Sequence, residues 1–242
     1  MDGVHVRHYF SIHHILAATF RAQCSGRIER SASLPFSDER VQQHRSHVVG
    51  SVLACAAFLE AFINELFADA GEPEGGYLQP VSPDVRHLMS RLWQQGIPRT
   101  ARYPILDKYA VALSLANKPQ ADPGMSPYQD VKCLIDLRNS LIHFEPEWTP
   151  AGPRDYEDQR SAHKHERALR GKFALNPLLP SVNPFYPDQC LSHGCAVWAV
   201  EASILFADQF CAKLGIVGGY QGFRGRLKPR DLNFGGLPLA SA

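Results

Sequence analysis

Residues 38–70, DERVQQHRSHVVGSVLACAAFLEAFINELFADA, form the stretch whose pattern decides the fold class. Val48, Val52, Cys55, Ala56, Leu59, Ile63 and Leu66 recur at three- and four-residue steps, which places them on one face of a helix. Ser37 or Asp38 can cap the start, and Gly71 and Pro73 stop the end. A helix this long and this one-sided must bury its stripe against other elements.

The flanking sequence supplies helices for that purpose. Val85–Gln95 and Ile105–Ala116 are amphipathic, closed by Gly96 and Pro98 and by Asn117 and Pro119. Ser126 and Pro127 set up a further helix, which Pro146 ends near Glu145. An exposed, charged helix is predicted over Tyr156–Arg170, then a proline-rich connector over 173–188, then a last helix over Gln189–Leu214. No run of alternating apolar residues is long enough to build a sheet. The fold expected is therefore all-α, a helical bundle over 38–214. Residues 1–37 read as an irregular segment with a short helix near Ile12–Gln23, and 215–242 as a Gly-rich basic tail.

A hydrophobic fraction of 45% and a charged fraction of 20% are ordinary for a folded domain, and 242 residues can bury a substantial core. The formal net charge of +1 gives no overall polyanion-binding signature. Six cysteines include no C-x-x-C pair, and Cys55, Cys133 and Cys211 fall in apolar helical patterns, so reduced thiols and a cytoplasmic setting are expected. Residues 1–10 do not resemble a signal peptide. The apolar stretches 48–67 and 195–211 are interrupted by Glu60, and by Glu201 and Asp208, so no membrane association is expected.

The chemistry concentrates in residues 127–145. At about 100° per residue, Val131, Leu134, Ile135, Leu141 and Ile142 share one side of a helix, with Arg138 near its middle. A guanidinium there must be paired or line a cavity, because an unpaired buried charge is costly. Glu60, at the flank of the 38–70 stripe with Asn64 one turn on, is the expected partner. A buried Glu60–Arg138 pair follows, with Asn64 or Asn139 taking the remaining donors. His143 lies about 140° round from Arg138, on a polar strip with Lys132, Asp136 and Asn139.

Arg138-Asn139-Ser140-Leu141-Ile142-His143 resembles the R-x4-6-H signature of the HEPN superfamily (higher eukaryotes and prokaryotes nucleotide-binding domains), which usually begins Arg-Asn. Residues 57–66 are similar to the long early helix of some members. The resemblance covers about 40–145, with the last helix added. It implies a bundle that forms a homodimer and, in active members, a metal-independent endoribonuclease site built from the Arg and His of both chains, without a cofactor. A toxin or defence role, with an antitoxin or regulatory protein as partner, is implied in the same way. The residue types suit the reaction. Imidazole can move a proton near neutral pH, and guanidinium forks onto phosphate oxygens. His143 is then acid or base, Arg138 holds phosphate, and Asn139 orients one of them, supported by Glu60, Asn64 and Asp136.

Arg7–His13, Arg40–His47 and Arg160–His165 satisfy the same spacing, so the helical setting separates Arg138–His143 from them. The rival expectation is a non-catalytic interaction module in which Arg138 is structural. Cys190, His193 and Cys195 lack a fourth ligand for zinc and read as core, and His163-Lys164-His165-Glu166 reads as a solvated face. Arg224, Arg226 and Lys228, interleaved with Tyr220 and Phe223, are weaker candidates for RNA contact. No phosphate-loop, G-x-S-x-G or H-E-x-x-H motif is present.

Overall fold

The computed structural model describes residues 7–31, 36–72, 76–99, 103–146 and 163–232. Among these residues seven α-helices follow in order: α1 Phe10–Arg30, α2 Asp38–Asp69, α3 Pro83–Gln94, α4 Ile105–Leu115, α5 Tyr128–Ile142, α6 Lys164–Leu169 and α7 His193–Leu214. Among the described residues there is no strand, and the protein is an all-α helical bundle.

α2 is the central helix. Ser37 caps it by accepting the Arg40 N–H, and its buried face holds Val48, Val52, Cys55, Leu59, Ile63 and Leu66 as the periodicity requires. Phe58, Phe62 and Phe67 are buried too, so the stripe is wider than a single seam. α7 lies against it, capped by Ser192 at its start and stopped by Gly215 in the left-handed region at φ +73°. By length and composition α2 and α7 could each cross a membrane, but 50% and 72% of their most apolar windows are buried inside the bundle. All six cysteines are free thiols, and burial pushes Cys55 and Cys190 up to about 12.

The N-terminal region departs from the sequence reading. α1 is a full core helix, packed antiparallel on α2, where an irregular segment with a short helix is predicted. Its buried face carries Ser11, Thr19, Gln23, Ser25 and Gly26 among fewer apolar residues, so its hydrophobic pattern is faint. Each buried polar group has a partner. The Glu65 carboxylate accepts from the Ser11 N–H and hydroxyl at 2.8 and 2.5 Å, which also places an anion at the N-terminus of α1. Ser51 donates to the Ala18 carbonyl, and Gln23 to the Lys228 carbonyl. At the opposite end Glu29 accepts from His44 Nε2 at 2.8 Å and from the His193 N–H, the first residue of α7, at 2.7 Å.

The basic tail is likewise folded onto the bundle over its described part. A 3-10 helix, Gly219–Arg226, buries Tyr220 completely. Arg224 pairs with Asp208, and Arg230 with Glu201.

Candidate functional site

α5 has its buried stripe at Val131, Leu134 and Leu137. That centre is rotated from the one the sequence suggests, and Ile142 is half exposed as a result. Arg138 therefore sits at the edge of the stripe, and its side chain is 27% exposed rather than buried. The expected buried Glu60–Arg138 pair is corrected accordingly. The closest guanidinium nitrogen is 4.0 Å from Glu60, whereas Lys108 of α4, 1% exposed, donates to Glu60 at 2.9 Å and to Asn64 at 3.1 Å. The buried cation is a lysine on a helix that carried no candidate residue. Arg138 instead donates from one guanidinium nitrogen to Asn139 Oδ1 at 2.8 Å.

Asn139 connects that charged group to a cleft. α5 ends at Ile142, and His143 is its C-cap, exposed, with its N–H on the Asn139 carbonyl at 2.8 Å. Asp136, Asn139 and His143 line a polar cleft of about 520 Å³, as the shared strip requires. Facing them are His163 and His165 at the start of α6, with Tyr186 from the π-helical turn Phe185–Gln189. Lys164 and Glu145 also line it, so both signs of charge border the cleft.

The two facing histidines are held in place. His165 is 2% exposed, with Nε2 at 2.8 Å from the Ser140 hydroxyl. Its backbone N–H donates to His163 Nδ1 at 3.2 Å, so in the neutral form His163 carries its proton on Nε2. The His163 ring stacks on Tyr186, centroids 4.6 Å apart and planes 6° apart. Burial, with the neighbouring His163 and Lys164 charges, lowers His165 to about 4.

That depression has a consequence for stability. The unfolded chain takes up a proton on this imidazole near its ordinary pKa of about 6.5, while folded His165 stays neutral until about pH 4. The contribution of neutral His165 is thus complete above pH 6.5 and is lost as pH falls toward 4. Urea titrations between pH 7 and pH 4 are expected to show stability falling faster in the wild type than in His165→Gln. Equal pH slopes in the two proteins would contradict this.

The motif His163-Lys164-His165-Glu166 is not the solvated face that its charge suggests, because His165 and Glu166 are buried. His163, His165 and Ser140 are the site residues the sequence reading missed. The only signal for Ser140 was its place one turn before His143. The rest of the predicted exposed helix, residues 156–162, lies outside the described residues.

Among the described residues no three or more His, Cys, Asp or Glu side chains are grouped to hold a metal ion. His193, between Cys190 and Cys195, has Nδ1 at 2.8 Å from the Ala22 carbonyl. Two of the three tail cations have a local partner for their charge. Arg224 is paired with Asp208, Arg226 lies over the Phe223 ring at 5.9 Å, and the Lys228 backbone is tied to Gln23. Comparison of the chain with family models, with curated proteins and with solved structures finds no match.

Proposed function

We propose that the protein is an RNA-cleaving enzyme of the HEPN kind, a cytoplasmic homodimer that works without a metal or cofactor. The observation that carries the reading is the linkage Arg138–Asn139–cleft, in which a guanidinium is anchored 2.8 Å from the amide that shares a cleft with His143. In the reaction the ribose 2′-oxygen attacks the adjacent phosphorus, the bond to the 5′-oxygen breaks, and a 2′,3′-cyclic phosphate and a 5′-hydroxyl result. His143 takes the 2′ proton or gives one to the leaving oxygen, and water serves in the other role. Arg138 stabilises the charge on the phosphorane oxygens, and Asn139 fixes its direction.

The test is incubation of RNA in EDTA with the wild type, Arg138→Ala and His143→Ala. Cleavage to cyclic phosphate ends, reduced on the order of 100-fold or more in each variant, is expected. Activity that EDTA abolishes, or that survives in His143→Ala, would end the proposal.

One observation favours a second reading, a non-catalytic interaction module: Glu60, Lys108 and Arg138 form a charged cluster that ties α2, α4 and α5 together. On that reading the wild type shows no nuclease activity. Arg138→Ala then lowers stability, while His143→Ala leaves it unchanged.

A further inference from the structure

Phe144 follows the C-cap His143 directly, is 51% exposed, and lines the same cleft. Its ring is not isolated. It packs against Tyr186 at 6.3 Å and 39°, Tyr186 stacks on His163, and His163 lies 5.1 Å from His165. His165 also meets Tyr186 at 4.8 Å, so His163, His165 and Tyr186 form a mutually packed cluster that Phe144 extends toward solvent. The amide of Asn139, which can donate, and the carboxylate of Asp136, which can accept, line the same cleft and suit the edge of a flat heterocycle.

An exposed aromatic edge beside polar side chains suits a nucleobase, whose faces are apolar and whose rim carries donors and acceptors. A base inside a duplex has both faces covered by its neighbours, so it cannot offer one to Phe144. A base in a single strand can.

Resting on the ribonuclease reading above, we propose that Phe144 is the stacking platform of a subsite that takes an unpaired nucleobase. One base of the strand lies on the Phe144 ring, which brings its own ribose and the adjoining phosphate to His143. Because every base presents a π-face, the platform selects strandedness and leaves sequence largely free.

The experiment uses the full chain and a fluorescein-labelled, 2′-O-methylated oligoribonucleotide, which lacks the attacking hydroxyl and cannot be cleaved by this chemistry. Anisotropy titrations are run with the strand alone and with the strand annealed to its complement. The wild type is expected to prefer the single strand by at least about tenfold, and Phe144→Ala to lose about tenfold in affinity for it, one base-aromatic stack. Phe144→Trp is expected to retain or increase affinity, and the half-exposed position leaves the melting temperature of both variants unchanged. If the wild type cleaves RNA but Phe144→Ala binds the single strand as well as the wild type does, the subsite is wrong and the ribonuclease reading stands. The same holds if duplex and single strand bind equally. If the wild type neither binds nor cleaves, the ribonuclease reading falls and takes the subsite with it.

Discussion

Replacing Tyr220 with alanine is expected to cost about 3–5 kcal/mol of folding stability, the range for removing a large buried aromatic side chain. Tyr220 is 0% exposed although it belongs to a glycine-rich segment. Its ring meets Phe58 and Phe62 of α2 edge to face, with centroids at 5.4 and 5.6 Å. Its hydroxyl donates to Asp208 of α7 at 2.8 Å. The alanine variant opens a cavity over two phenylalanines and cuts the tail from its anchor. Tyr220→Phe keeps the ring and loses the hydrogen bond to Asp208 and a long contact with Cys211 Sγ at 3.9 Å. It should cost only about 1 kcal/mol, since Asp208 retains Gln221 and Arg224. Urea unfolding of the three proteins measures both values. A loss below 1 kcal/mol for Tyr220→Ala would mean that the tail does not dock as described.

The second large effect concerns the charged cluster. Glu60→Ala is expected to cost about 3–4 kcal/mol, because it leaves the Lys108 ammonium, 1% exposed, with Asn64 as its remaining acceptor. Lys108→Met should cost about 1 kcal/mol or less. It removes the buried charge and keeps the stem volume, and Glu60, a third exposed, remains near Arg138. The double variant should therefore be more stable than Glu60→Ala alone. A cycle of the four proteins gives the coupling, with more than about 1.5 kcal/mol expected for groups this close. A larger loss in Lys108→Met than in Glu60→Ala would reverse the assignment of which group is stranded.

The same cluster shows where sequence reasoning stops. Periodicity alone put Glu60 and Asn64 at the flank of the α2 stripe, and both do face a cation. It named Arg138 as that cation because Arg138 seemed central among Val131, Ile135 and Ile142. The centre of a helical stripe depends on which neighbours cover it. α2 and α7 cover the side of Leu134 and Leu137, leaving Ile142 and Arg138 toward the edge. Lys108 gave no warning, because a lysine in an amphipathic helix is ordinarily solvated. Only the approach of α4 to α2 removes it from water.

For the site, spacing on a single helix was enough to place Asp136, Asn139 and His143 on one strip, because an α-helix fixes which residues share a face. It also placed Arg138 well away from His143. It could not provide the opposite wall of the cleft. His163 and His165 arrive there from a separate short helix, where His163 stacks on Tyr186 and buried His165 meets the Ser140 hydroxyl, both far from them in the chain.

What the amino-acid sequence by itself determined is the helical class, the central helix with its caps and breaks, and the polar strip that ends in His143. These rest on local periodicity and on the backbone limits of proline and glycine, which act within a few residues. The tertiary structure alone decided that α1 belongs to the core, that Lys108 rather than Arg138 is the buried cation, and that Tyr220 fastens the tail. It also decided that three histidines share one cleft. Each of these depends on surfaces meeting across long stretches of chain, where burial changes what a side chain's polarity means.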